Sequence, residues 1–383
     1  MSQVLLRTFW RTRTHRLLSG GNGLRLRTAL INRHSSTIEA NYSFDFVVVG
    51  GGSAGCVLAN RLSEDPNVSV CLIEAGPSHL GNTHAPFIAL PVGYYKTASS
   101  KALDWNFATE PMQSLNGRSI DFPRGKVLGG CSSINGLIFL RGRNDDFDRW
   151  KQLSGSQLWG AENVREFYDK VEKGRRHQHG GERTTANGDE NEAESGIDWS
   201  QARYTSNICD AFVAAARQCC TGTSPQTAVD SIGPDDADRA TLQLDDLHLD
   251  LHADYSWPKG SAGYVPVSVS SSTGWRCGSA SGYFHSEVRK RPNLKFMLES
   301  TVERLCWKPN NENTLDTGRT VTCGGVIARD GRGIRMNIKA NREVVLAAGA
   351  IGSPHLLQVS GVGDEEVLRS KGVHPVSECS FQR

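Results

Sequence analysis

The sequence predicts an α/β protein: a βαβ domain with a glycine turn, followed by enough chain for a second part. Three observations predict it. The stretch Phe44–Leu62 passes from an apolar run through a glycine cluster into a helix-compatible pattern. The next apolar run ends on Glu74-Ala75-Gly76, and two further glycine-rich blocks lie at 124–135 and 349–363.

Asp45 to Val49 is an uninterrupted apolar run bounded by glycine, as suits a strand buried on both faces of a parallel sheet. Gly50, Gly52 and Gly55 then fall on the G-x-G-x-x-G spacing. The first allows a tight turn, the second lets a pyrophosphate approach the backbone, and the third lets the helix sit close on the strand. A helix from Ser53 to about Ser63 directs its unpaired N–H groups and positive dipole end at the phosphates. Val68 to Ile73 reads as the next strand, with Glu74 at its end to accept hydrogen bonds from ribose hydroxyls. Glycine turns alone are common. The strand before, the helix after and the terminal carboxylate together select a dinucleotide site. An acidic residue at that point disfavours a 2′-phosphate, so FAD or NAD fits better than NADP.

Length suggests two domains or one large composite, and net charge is nearly balanced at +2 but unevenly placed. Up to Thr37 there are seven arginines (Arg7, Arg11, Arg13, Arg16, Arg25, Arg27, Arg33), and no acid precedes Glu39. Arginines interleaved with hydroxyl residues and leucines have the composition of a mitochondrial transit peptide, here residues 1–38. The competing readings are a basic arm for nucleic acid or a membrane surface, with a cytoplasmic protein as the alternative location. The expectation is a mitochondrial protein that binds no nucleic acid. No run approaches the ~18 apolar residues of a membrane span. Ten scattered cysteines show no C-x-x-C pair, which suits mostly buried thiols in a reducing compartment.

Residues 42–150 form the first segment of the βαβ domain. Within it, Gly76 to Asp121 is irregular, with Pro86, Pro91, Pro111 and the aromatics Tyr94, Tyr95, Trp105 and Phe107, suggesting a cover or binding loop. Residues 145–173 look helical, and 151–262 is assigned to the second part. There, 174–196 is polar and of low complexity, 207–220 an amphipathic helix, and 222–254 acidic with eight aspartates. Residues 263–376 return to the first domain, with strands at 263–270 and 293–299, a buried strand at 343–348 and a hairpin around Asp330-Gly331. Residues 377–383 form a divergent tail.

Arg124-Gly-Lys-Val-Leu-Gly-Gly-Cys-Ser-Ser-Ile-Asn135 joins paired glycines to small hydroxylated residues. Such a backbone can lie against a ring or phosphate, with Ser132, Ser133 and Asn135 as hydrogen-bonding groups. Gly349-Ala-Ile-Gly-Ser-Pro-His-Leu-Leu-Gln-Val-Ser-Gly-Val-Gly363 supplies another glycine turn, a Ser-Pro helix start and a Ser-Gly-x-Gly stop. With these blocks the chain resembles the glucose–methanol–choline (GMC) flavin oxidoreductases, the choline-dehydrogenase-like branch most closely. The resemblance runs from Phe44 to about Pro375 and includes Asp104-Trp-Asn-Phe-Ala-Thr-Glu-Pro111, Arg141-Gly-Arg143, Asp148-Arg-Trp150 and Arg291-Pro-Asn-Leu294.

This resemblance implies an FAD-binding Rossmann-like domain with an α+β substrate domain, and oxidation of a small-molecule alcohol by hydride transfer to the flavin. It places Gly50, Gly52, Ser53, Gly55 and Glu74 on the ADP half. It sets Val127, Asn135, Gly136, Leu137 and Ile138 along the flavin, and Val302 against the adenine through its backbone. Some relatives carry a covalently linked histidine where this chain has Ile134, so non-covalent FAD is expected. The family's histidine base follows the Ser-Gly-Val-Gly segment at a distance that falls beyond Arg383. The chain thus resembles a C-terminally truncated member with no catalytic residue of its own, and a non-catalytic flavin-binding fragment is the alternative. The electron acceptor (oxygen, quinone or a protein) stays open. His355 and His374 read as ordinary surface or packing residues and not as a base. His248, Asp250, His252 and Asp254 alternate as metal ligands could, but a solvated acidic loop is the simpler reading, and no metal is expected.

Overall fold

The computed structural model describes residues 40–172, 195–200, 206–209, 211–212, 215, 267–270, 272–308 and 321–378. The leader, residues 174–194 of the low-complexity stretch, the acidic segment with His248–Asp254 and residues 379–383 of the tail lie outside the described residues, as do most of the helix at 207–220 and the first part of the strand at 263–270.

The described residues open with β1 (Ala40–Val49), α1 (Ser53–Leu62) and β2 (Val70–Ile73). Next come α2 (Ala85–Ala89), α3 (Tyr94–Ala98), β3 (Phe107–Ala108), β4 (Asp121–Phe122), α4 (Asn144–Ser154) and α5 (Ala161–Val171). Then follow α6 (Ser279–Tyr283), α7 (Ser286–Arg289), β5 (Leu294–Met297), β6 (Ser300–Trp307) and β7 (Cys323–Asp330). The last elements are β8 (Arg335–Leu346), α8 (Gly349–Val359), β9 (Val362–Gly363), α9 (Glu365–Ser370) and β10 (Ser377–Glu378). They group into two compact units: residues up to His84 with Tyr95–Ile134 and Arg289–Arg383, and Ala85–Tyr94 with Asn135–Val288. The sequence-based boundaries at 150 and 263 both fall inside the second unit.

The first unit is a six-stranded sheet in the order β5-β2-β1-β8-β7-β6. β1 runs parallel to both β2 and β8, and β2 parallel to β5, while β7 and β6 are added antiparallel. Val47 and Val48 are fully buried and Val49 nearly so, as expected for a central parallel strand without polar alternation. β2 is buried along its whole length. Asp45 aligns the two strands: its carboxylate accepts the Ser69 N–H (2.9 Å) and hydroxyl (2.8 Å). Val47, Cys71, Val326, Ile338 and Leu356 share one apolar core.

Two expectations change. The single helical stretch at 145–173 is two helices, because Gly155 closes α4 in the left-handed region at φ 66°. The segment 343–348 is half-buried or exposed, and the buried residues of β8 are Met336, Ile338 and Ala340. The helix that follows, α8, packs mainly on β6, so the C-terminal part of β8 is only partly covered.

In the second unit Phe147 of α4 meets Tyr168 of α5 edge to face, and Trp150 of α4 makes edge-to-face pairs with Phe147 and with Trp159 of the connecting turn. Arg141 is a buried cation, bonded to Glu172 (2.5 Å) and Asp169 (2.9 Å). Tyr283 and Phe284 are its most buried aromatic side chains among the described residues. No described helix is long and apolar enough to cross a membrane. Of the seven described cysteines, Cys56, Cys71 and Cys277 are buried and Cys131 and Cys209 exposed; all are free thiols. The expectation that most are buried therefore holds for three of the seven.

Candidate functional site

The G-x-G-x-x-G turn has a separate physical reason for each glycine. Gly50 sits at φ 101°, and a Cβ there would lie 2.5 Å from the Ala347 carbonyl oxygen. A Cβ on Gly55 would lie 1.9 Å from the Gly50 oxygen, so this glycine is what lets α1 touch the end of β1. Gly52 differs: a Cβ would meet nothing nearer than 3.9 Å. It is the N-cap of α1, without a side-chain cap, and no acid stands in the first turn. The helix end thus presents bare N–H donors, with the positive dipole end, to open space beside Gly52 and the exposed Ser53.

Glu74 is buried, and its two carboxylate oxygens accept the N–H groups of Gly51 and Gly76, each at 2.8 Å. Burial pushes its pKa up to about 7, against the pull of those two donors and of Lys126. The carboxylate therefore ties the glycine turn to the end of β2. Each oxygen keeps lone-pair capacity for a hydroxyl.

The second block lies on the first. Gly129 donates to the Gly51 oxygen at 2.7 Å, and a Cβ on Gly130 (φ 53°) would come within 2.7 Å of the Gly52 Cα. Ser133 is buried and donates to the Leu128 carbonyl (2.9 Å), while the Ser132 hydroxyl donates to Gly129 (2.7 Å). Contrary to expectation, the Ser133 hydroxyl holds its own loop and is not presented to a ligand. Val127 is fully buried as well, so its side chain belongs to the core. The segment just before the third block enters through Ala347, whose N–H bonds to the Val49 carbonyl (2.8 Å) at the foot of the turn. Three segments far apart in sequence thus meet around one helix N-terminus.

Beyond Glu74 a cavity of about 620 Å³ is lined by Gly76, Pro77, Lys126, Thr301, Glu303 and Arg329 among others. Val302 stands between two of its lining residues. The β6–β7 ladder shifts register between Val302 and Arg304, a bulge that re-aims Glu303. Burial alone would raise the Glu303 carboxyl, but Arg329 (2.6 Å) and Arg335 (2.6 Å) hold it below the ordinary carboxylate range.

Asn135, Gly136, Leu137 and Ile138 belong to the second unit. Leu137 is buried at φ 70°, whereas Asn135, Gly136 and Ile138 are exposed. His355 and His374 are exposed, in keeping with surface roles. Sequence reasoning passed over His79, which is buried against Arg289 (3.2 Å). Burial, then the Arg289 charge, push it down to about 4, so it is neutral at pH 7. Arg276 was also passed over; burial lowers its pKa to about 10, and it stays charged at pH 7. Among the described residues no cluster of His, Cys, Asp or Glu could hold a metal ion.

The glycine cradle, the bare helix end and the acidic strand terminus fit the diphosphate and ribose of FAD. A profile described as GMC oxidoreductase matches residues 44–233 and 238–378, most of the chain. The chain belongs to the GMC oxidoreductase family. Similar GMC proteins include an oxygen-dependent choline dehydrogenase of Rhizobium johnstonii, 33% identical over 330 residues, which are 86% of this chain and 50% of that protein. An alcohol dehydrogenase [acceptor] of Pseudomonas putida is 29% identical over 86% of this chain and 50% of its own length. Among solved structures, pyridoxine 4-oxidase from Mesorbium loti superposes with TM-score 0.62 at 26% identity, covering 88% of this chain and 55% of that one. Formate oxidase gives TM-score 0.62 at 25% identity over 88% of this chain and 50% of its own. The chain spans about half the length of the curated relatives it matches.

Proposed function

We propose that this GMC chain binds FAD non-covalently and serves an oxidoreductase acting on the CH–OH group of a small-molecule alcohol. One observation carries the reading: the glycine turn, the Gly129–Gly130 loop and the Ala347–Ala348 segment converge on the uncapped N-terminus of α1, with the Glu74 carboxylate beside it. Backbone N–H groups at Gly52 and Ser53 would hold the diphosphate, and Glu74 would accept a ribose hydroxyl. Bound FAD would supply the hydride acceptor for oxidation of an alcohol to a carbonyl. Ile134, the residue before Asn135, is 4% exposed and has no nucleophilic atom, which supports non-covalent binding. The names of the similar proteins, choline and alcohol dehydrogenases, support an alcohol substrate. The arginine-rich, acid-free leader supports a mitochondrial location, testable by import of the full-length precursor into isolated organelles.

The visible spectrum of the purified chain tests the cofactor. Flavin bands that are released intact by denaturation support this reading, and a folded protein that takes up no added FAD refutes it. Anaerobic choline or a primary alcohol tests the reaction. Loss of the oxidised-flavin band supports alcohol oxidation, and a loaded protein unchanged by every alcohol offered argues for flavin binding without turnover.

A further inference from the structure

Glu74 is pulled in two directions by its place in the first unit. It is 6% exposed, and its two carboxylate oxygens accept the Gly51 and Gly76 N–H groups at 2.8 Å each. Among the described residues it has no ion pair. The charges around it are few. α1 brings the buried Cys56 thiol, which burial pushes up to about 12, so it stays neutral. The second glycine block brings Lys126, whose charge favours the ionised carboxylate. Arg289 acts on Cys56 and on His79, and burial together with that arginine holds His79 neutral, at about 4. The turn into β6 and the adjoining cavity bring Glu299, His84, Asp330 and the arginine-paired Glu303. Burial outweighs Lys126 and both backbone donors, so the Glu74 carboxyl stands at about 7 in the cofactor-free chain. An ionised carboxylate offers about four lone-pair positions, and the two backbone donors leave enough for both hydroxyls of a ribose. Protonation takes one of those left and removes the charge that strengthens the other.

We propose that FAD binding is linked to loss of the Glu74 proton: the ribose hydroxyls select the ionised carboxylate, the proton passes to solvent, and the cofactor is held weakly in acid and tightly near neutrality. The proposal rests on the FAD reading above. The hydroxyl bonds exist only in the bound state, so they draw the carboxyl back toward the ordinary carboxylate range. Free Glu74 is half protonated near pH 7 and bound Glu74 is ionised there. Affinity therefore rises with pH up to about 7 and is level above it.

The test titrates FAD into the full chain freed of flavin; its doubly esterified diphosphate does not itself titrate over this range. Calorimetry at about pH 6, in two buffers of different ionisation enthalpy, counts the protons exchanged. The wild type is expected to release ~0.5–1 proton per FAD, and its affinity to rise ~10-fold or more from about pH 5.5 to about pH 8. Glu74→Gln cannot ionise. It is expected to bind FAD more weakly, with no proton released and no slope over the same range, which a side chain that only braced the turn would not produce. A wild type that releases no proton, or a Glu74→Gln chain that keeps the wild-type release, overturns the proposal. If Glu74→Gln does not fold, infrared difference spectra of the wild type decide. FAD binding at about pH 6 must then remove the C=O band of a protonated buried carboxyl, and its persistence overturns the proposal. Binding that is independent of pH refutes the proton linkage and leaves the FAD reading standing, whereas a chain that binds no FAD at any pH refutes both.

Discussion

Alanine at Gly52 and alanine at Gly55 should fail in opposite ways. At Gly55 the new methyl would stand 1.9 Å from the Gly50 carbonyl oxygen and 3.0 Å from its carbon. Real Cβ contacts stay beyond roughly 3 Å, so α1 would have to back away from β1 by about 1 Å. Both atoms are backbone and cannot swing aside. The expected cost is about 3 kcal/mol or more, the upper range of overpacking. At 2–4 °C per kcal/mol this is a fall of about 6–12 °C in melting temperature. At Gly52 the nearest atom to the methyl is 3.9 Å away, and φ −78°, ψ −164° is open to alanine. The fold should lose only the glycine N-cap preference, about 0.5–1 kcal/mol. The methyl would occupy the space a phosphate needs to reach the helix N–H groups. Losing one charged hydrogen bond of about 2 kcal/mol lowers ADP or FAD affinity ~30-fold. Thermal melts of the cofactor-free variants, paired with calorimetric titration of ADP, read both effects. The reasoning is refuted if Gly52→Ala binds ADP as the wild type does, or if it melts as early as Gly55→Ala.

Other outcomes follow from buried polar groups. Since burial raises Glu74 from its ordinary 4.5 to about 7, its stabilisation is complete below about pH 4.5 and is lost as pH rises through about 7. The stability of the cofactor-free wild type relative to Glu74→Gln should therefore fall by about 3 kcal/mol between pH 4.5 and 8 in urea melts; a constant difference contradicts this. Arg141→Met strands the buried Glu172 carboxylate and should cost about 3–5 kcal/mol by chemical denaturation, most of it recovered by adding Glu172→Gln. Ser360→Ala removes the acceptor of the buried Leu305 N–H (2.8 Å) and should cost about 1–3 kcal/mol. Trp307→Phe, which leaves only the Ser360 carbonyl without its indole donor, should cost less, and the reverse order in melting temperature would count against this account.

Much of the site was legible because its signals are local. A continuous valine run marked β1, the glycine spacing marked the turn and the start of α1, and Glu74 marked the end of β2. The roles of the second block were harder to read. Ser132 and Ser133 look like ligand donors in sequence, but a left-handed Gly129–Gly130 pair turns Ser133 back onto Leu128. Val127 likewise had an apolar side chain that suits a ring or a core equally well, and the core takes it. Arg276 carried no signal, since its guanidinium bonds to Asn135, 141 residues earlier in the chain.

By itself the sequence determined the βαβ unit, the phosphate-facing helix end and the resemblance to flavin oxidoreductases, because apolar period, glycine and terminal carboxylate act within one supersecondary unit. Only the tertiary structure decided that Gly130 rests on Gly52, that Ala347 closes the foot of the same turn, and that Arg276 grips Asn135. Those are contacts between backbones and buried charges brought together by strand order. No local pattern specifies which distant segment will stand a few ångströms away.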